Sequence, residues 1–357
     1  MAAVQSGASA TAAACPPPGG GLDTVTTIAS TVPANGDVNP YGVAVVPASM
    51  GALHRGDVLV SNFNAQSNLQ GTGTTIVQVD PRSHHVTTFA TISPEHLPGA
   101  CPGGVGLTTA LVALRSGWVV VGSLPTADGT AATAKAGCLL VLDDHGAVRE
   151  TISGAEVNGP WDMTALDFGD FAQLFVTNVL NGTVAANGAT VQRGTVVRIS
   201  LNIAGHGSPR VLERTVIGSG FGEHTDPAAL VVGPTGVGLT RDGTLFVADS
   251  VANRVTAIPG APSRVHSAGT GMTVTSGGAL NTPLGLIVNG NGQVLTVNAG
   301  DGNLVVTEPG TGQVAIRTLD RSGTPPGAGA LFGLAEEPGT GDVFFVNDAT
   351  NTLNRLS

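Results

Sequence analysis

Short apolar runs, rich in Val and closed by Gly, Asn or Asp turns, recur along this chain, and none extends into the three-to-four-residue periodicity of an amphipathic helix. Six times, one run opens around Pro-x-Gly or a variant of it, and a second run follows that ends in Asn, Asp or Gly. The clearest copy reads Gly233-Pro234-Thr235-Gly236-Val237-Gly238-Leu239, a turn at Asp242-Gly243, Leu245-Phe246-Val247-Ala248-Asp249, and then Asn253-Arg254-Val255. The others open at Asn39-Pro40-Tyr41-Gly42, Cys101-Pro102-Gly103-Gly104, Gly159-Pro160-Trp161-Asp162, Thr282-Pro283-Leu284-Gly285 and Ala330-Leu331-Phe332-Gly333. Their second runs end at Asn62, Gly122, Asn178, Asn298 and Asn347.

At the glycine position the intervals are 62 (Gly42 to Gly104), 58 (Gly104 to Asp162), 74 (Asp162 to Gly236), 49 (Gly236 to Gly285) and 48 (Gly285 to Gly333). This period suits four-stranded antiparallel blades and predicts an all-β, six-bladed β-propeller. After Val343 to Asn347, only enough chain remains for a third strand of the sixth blade. Leu22 to Thr31, alternating apolar and polar, is the natural fourth, so an N-terminal strand is expected to close the last blade and remove the open edge. Residues 22–357 are read as a single propeller, because no blade buries both faces alone.

Composition agrees. Charged residues make up only 11% and there are 52 glycines, which favours strands and turns. A net charge of −10, with Lys135 as the only lysine, gives no basic stripe for a phosphate backbone, so no nucleic-acid partner is expected. No run approaches the roughly 18 apolar residues of a membrane span. Residues 1–21, an Ala, Ser, Gly and Pro tract, read as a disordered leader. Without a basic start or apolar h-region it is no signal peptide, and the reading is of an extracytoplasmic monomer, periplasmic or secreted, whose signal has been removed. Three cysteines leave three arrangements open: Cys101 with Cys138, Cys15 with Cys101, or no bridge. The first needs loops that bend inward, since strands two places apart lie about 9.5 Å apart.

The loops that enter each innermost strand and those that join its second and third strands share one face, here called the top. Long examples in the first three blades, Ser61 to Gly73, Ser123 to Gly137 and Val179 to Gly194, predict a partly roofed pocket there. Of eight histidines, His54, His84, His85, His145, His206 and His266 fall on the opposite, bottom face, and only His96 and His224 precede an innermost strand. Between them Asp162 replaces the repeat's glycine. Two imidazoles and a carboxylate from adjacent blades make a candidate open site for a divalent transition metal such as zinc, with Glu95 or Glu223 as general base or orienting partner. Tyr41, Trp161 and Phe332, each just before the glycine position, predict an aromatic collar for a small-molecule ligand, with Asn62, Asn178, Asp249, Asn298 and Asn347 as polar contacts. The bland alternatives are an aromatic plug and strand-end side chains that bond their own loops.

Leu245-Phe246-Val247-Ala248-Asp249 with Asn253-Arg254-Val255 resembles the NHL-repeat propellers, more weakly in the other units. Two enzyme groups of similar architecture follow from that resemblance. The gluconolactonase and regucalcin type binds a divalent cation at inner-strand openings, but those openings here carry Tyr41, Gly103, Thr235 and Leu284. The peptidyl-hydroxyglycine amidating lyase, which holds zinc through histidines, is the closer analogy, with His96 and His224 in place and Asp162 substituting for a third histidine. No Gly-x-Ser-x-Gly elbow and no nucleotide-cofactor fingerprint is present. Asn181-Gly182-Thr183 matches a glycosylation sequon. The expectation is a metal-dependent lyase or hydrolase acting on a small polar substrate, set against a non-catalytic propeller that binds a ligand or protein through the same face.

Overall fold

The computed structural model describes residues 22–205 and 207–357, and the predicted leader, Cys15 and His206 lie outside them. Apart from four short helical turns, every regular element described is a β-strand. Blade one is built from Val38–Val45, Val58–Asn64, Thr75–Val79 and Val86–Thr91, and blade two from Leu107–Ala113, Val119–Ser123, Cys138–Leu142 and Val148–Ile152. Blade three consists of Pro160–Asp167, Phe171–Asn178, Val191–Asn202 and the long Arg210–Asp226, extended by Leu230–Val232. Blade four contains Pro234–Leu239, Leu245–Asp249, Arg254–Ile258 and Met272–Ser276, and blade five Pro283–Val288, Val294–Asn298, Asn303–Glu308 and Gly312–Thr318. Leu331–Glu336, Val343–Asn347 and Thr352–Leu356 begin the sixth, which Val25–Ser30 completes with Val25 opposite Leu356 and Ser30 opposite Thr352. The chain is the six-bladed, four-stranded, N-terminally closed propeller that the repeat predicts.

The repeat's glycine has a physical cause. A Cβ on Gly285 would lie 1.8 Å from the carbonyl oxygen of Phe332, on Gly333 2.1 Å from that of Tyr41, and on Gly236 2.3 Å from that of Leu284. At each of these seams a blade approaches its neighbour backbone to backbone, and only a residue without a side chain fits. Hydroxyls stitch other seams. The Ser61 hydroxyl accepts from Gly42 N–H and donates to Thr108 O at 2.8 Å, and the Thr177 hydroxyl accepts from Asp162 N–H and donates to Thr235 O at 2.7 Å.

Blade two departs from the predicted register. Its innermost strand is Leu107–Ala113, with Leu107 opposite Ser123, so Cys101-Pro102-Gly103-Gly104 is a loop before the strand and Ser123, not Gly122, holds the strand-end position. Gly103 is there for a different reason: a Cβ would meet the Lys135 side chain and the Ala136 carbonyl. Because Cys101 sits in this loop, it reaches back to Cys138 at the start of the third strand, and the two form a disulfide with Cα atoms 5.3 Å apart.

Candidate functional site

The top mouth of the channel is filled. Tyr41 is stacked between Phe63 and Phe332 at centroid distances of 4.4 and 3.9 Å, and Tyr41, Trp161, Leu284 and Phe332 share one buried cluster with Ala229–Val232. After the long outer strand of blade three, the chain turns back over the mouth, with His224 opposite Val232. Trp161 Nε1 donates to Val231 O at 3.1 Å, and Gln70 Nε2 donates to Pro227 O at 2.9 Å. The expected open collar is therefore a plug under a roof: Tyr41 and Trp161 are each 3% exposed and Phe332 2%. Two stacked aromatic contacts contribute about 0.5–1.5 kcal/mol each beyond the area they bury. Burial, and then the charge of Asp348, push the Tyr41 phenol well above its ordinary value.

The strand-end set is also internal. Asn62 Nδ2 donates to Thr31 O, Asn298 Nδ2 to Ala279 O and Asp301 Oδ1, and Asn347 Nδ2 to Asp320 Oδ2, while Asn178 Nδ2 meets Val176 O in its own strand. Asp249 accepts from Arg254 Nε at 2.9 Å. All five are buried; four bond neighbouring loops or strands and Asn178 its own strand, which is the bland reading of strand-end side chains, although the Oδ1 atoms of Asn62, Asn178 and Asn298 have no partner among the described residues.

Nor does the structure gather the predicted metal ligands. His96 ends an exposed helical turn, Pro94–His96, before blade two, and Glu95 beside it accepts only from Ser93 Oγ. His224 lies on the outermost strand of blade three, its Nδ1 bonded to Thr225 O at 2.9 Å. Asp162 faces the central channel from an innermost strand. Among the described residues, Asp143, Asp144 and His145 form the one three-residue group whose ligand atoms lie within 4.8 Å of one another. Those atoms are already engaged in an outer turn: Asp143 accepts from the N–H groups of His145 and Ala147 and from Arg149 Nε, and Asp144 from His145 Nδ1. At the channel mouth the ring positions carry Tyr41, Trp161, Thr235, Leu284 and Phe332, so the donor set there does not fit a divalent cation.

Glu223 is wholly buried and holds a loop. Its Oε1 accepts from Asn181 N–H at 2.8 Å and its Oε2 from Asn181 Nδ2 at 3.3 Å, and burial pushes its carboxyl up to about 7. In the sequon the half-buried Asn181 has its amide bonded and Thr183 is buried, while Gly182 between them is exposed.

Below the plug the channel opens toward the bottom face as a cavity of about 300 Å³. Its walls are the second halves of the innermost strands, with Val43, Leu111, Met163, Val237, Leu286 and Leu334 among them, and Arg115 and Asp167 stand at the open end. Asp162 is the ionisable group within. Its Oδ1 accepts from Met163 N–H at 2.8 Å and its Oδ2 from Val237 N–H in the next blade at 3.1 Å. Burial outweighs these two bonds and pushes the carboxyl up to about 8, so the acid is mainly neutral at pH 7. Sequence reasoning singled out Asp162 but aimed it at the top. The longest interval, Asp162 to Gly236, marked additional chain in blade three, but no residue pattern in it showed that this chain roofs the mouth or that Asp162 lies below it.

No protein-family model and no curated protein sequence matches the chain. Solved structures do. A gluconolactonase from Xanthomonas campestris superposes with TM-score 0.56 at 11% identity, covering 93% of this chain and 88% of that one. A luciferin-regenerating enzyme superposes with TM-score 0.57 at 10% identity, covering 93% and 94%. A calcium-binding protein, regucalcin, from Agrobacterium tumefaciens superposes with TM-score 0.52 at 12% identity, covering 92% and 93%. At these identities the likeness is one of fold.

Proposed function

We propose that this chain is a propeller of hydrolase or lyase type that takes a small molecule into the lower channel and acts on it at Asp162. The single observation that carries the reading is the buried carboxyl of Asp162 in a channel walled mainly by Val, Leu, Met and Ala side chains with Thr109 and Thr164 among them, the arrangement of a small-molecule site with a few placed polar groups, and burial favours its neutral form. In that setting Asp162 donates a hydrogen bond to a reacting oxygen and polarises it, as a general acid held near its working pH. The names of the structural neighbours, among them a gluconolactonase and a luciferin-regenerating enzyme, support an enzyme on this fold without fixing a substrate. The Cys101–Cys138 bridge supports an oxidising, extracytoplasmic location.

A non-catalytic ligand-binding propeller is the second reading, favoured by the lack of another ionisable group at the closed end of the channel. Turnover of a panel of esters, lactones and amides by wild type and Asp162→Asn separates the two. The enzyme reading expects a fall of about a hundredfold or more in Asp162→Asn. Equal turnover in the two proteins, or unchanged turnover when Ala335→Trp narrows the mouth, sinks it.

A further inference from the structure

We infer that the molecule taken up by this channel is uncharged and mostly apolar, and carries a hydrogen-bond acceptor such as a carbonyl oxygen that meets Asp162. This rests on the reading of the channel as the site. Both hydrogen bonds of Asp162 are ones that it accepts, from Met163 N–H and Val237 N–H, so the acid's own hydrogen is left for a ligand. A carbonyl oxygen takes that hydrogen and brings none of its own, whereas a ligand hydroxyl brings a further hydrogen, for which the lining near Asp162 offers the hydroxyls of Thr109 and Thr164 among Val, Leu and Met side chains.

Charge at the closed end is disfavoured. Apart from Tyr41, which is held in the plug, the innermost strands of blades one, two, four and five and the second strand of blade three carry no titratable residue. Blade six contributes only Glu336 at the far end of its strand, with Oε1 bonded to Gly290 N–H. The open end offers one charge of each sign, Arg115 and Asp167, and the Asp167 carboxylate accepts from the N–H groups of Arg115 and Gly169. An ion beside Asp162 would thus be buried without a counter-ion, which costs several kcal/mol. A cavity of about 300 Å³ holds about ten non-hydrogen atoms at roughly 30 Å³ each.

The test is calorimetric titration of the intact protein with camphor, menthone and methyl hexanoate, against bornane and hexanoate as controls, at about pH 7 and about pH 10. The neutral carbonyl compounds are expected to bind wild type, with affinity falling about tenfold or more as Asp162 ionises. Asp162→Asn, whose amide donates at any pH, should bind them equally at both, and Asp162→Leu should not discriminate camphor from bornane. Binding by none of the carbonyl probes, bornane matching camphor on wild type, hexanoate exceeding its ester, or a flat pH profile overturns the ligand class. Ala335→Trp keeps the two readings apart. If it abolishes binding while the acceptor makes no difference, the channel stands and the ligand class falls. If camphor binding is unchanged by Ala335→Trp, the channel itself is not the site.

Discussion

Asp162 of the third blade accepts a hydrogen bond from the backbone N–H of Val237 in the fourth, across a seam where other blades place a glycine. The same carboxyl is raised to about 8 by burial, and Asp348, also by burial, to about 6. An acid with a raised folded pKa contributes stability that is fully present below its unfolded value and is lost as pH rises through the folded one. Thermal midpoints should therefore fall as pH rises from about 4 to about 8 and then level. Asp162→Asn removes most of this slope above about pH 7, where Asp348 is largely ionised in the folded state too and Glu223 is passing through its own value. Parallel midpoint curves for the two proteins would show that Asp162 ionises as it does in the unfolded chain.

The Glu223–Asn181 contact makes a second, separable pH element. With its carboxyl raised to about 7, Glu223 costs stability between its unfolded value of 4.5 and about 7 as pH increases. Glu223→Gln retains an acceptor for the Asn181 N–H and should flatten that part of the curve. Glu223→Ala leaves the N–H without its partner and should cost about 1–3 kcal/mol. Urea unfolding at about pH 5 and about pH 8 distinguishes these outcomes. A Gln variant with the wild-type slope refutes the assignment.

Closing Cys101 to Cys138 constrains a separation of 37 residues, for which the chain-entropy model gives about 4 kcal/mol. Reductant should lower the wild-type midpoint and leave that of a Cys101→Ser, Cys138→Ser double variant unchanged. Thiol titration of the unfolded, unreduced wild type should find one free thiol per chain, from Cys15; three would mean that no bridge forms.

The fold was legible because one physical constraint repeats. A strand that meets its neighbour's carbonyl oxygen at 1.8–2.3 Å from a would-be Cβ must present glycine, and the constraint leaves a visible mark at Gly236, Gly285 and Gly333. Where the seam is built otherwise the mark is absent. Blade two has Thr108-Thr109-Ala110 at this level, and the nearby Cys101-Pro102-Gly103-Gly104 imitates the motif from a loop.

The site was less legible, because a strand's position in the repeat does not say which way its side chain meets the channel or what covers the mouth. His96 and His224 share a face by topology, yet one ends an exposed turn and the other sits on an outer strand with its ring bonded to its own backbone. The run Ala228-Ala229-Leu230-Val231-Val232 reads as an approach to the next innermost strand. Only its packing on Trp161 and Tyr41 reveals it as a roof.

The seam glycines give the sharpest test of the ring itself. On Gly285 a Cβ would sit 1.8 Å from Phe332 O, a backbone atom that cannot swing aside as a flexible side chain would. To admit a methyl group, blades five and six must part. That movement would loosen Phe332 from its stack on Tyr41, so the strain reaches the plug. Gly285→Ala should cost about 3 kcal/mol or more. Gly292→Ala, in a bottom-face turn with nothing within 4 Å but with φ at +82°, should cost only the smaller backbone strain of about 1 kcal/mol. Measured together by chemical denaturation, the two separate crowding at the seam from the general loss of a glycine. Equal costs would mean that blades five and six do not meet at the separation that excludes a Cβ on Gly285.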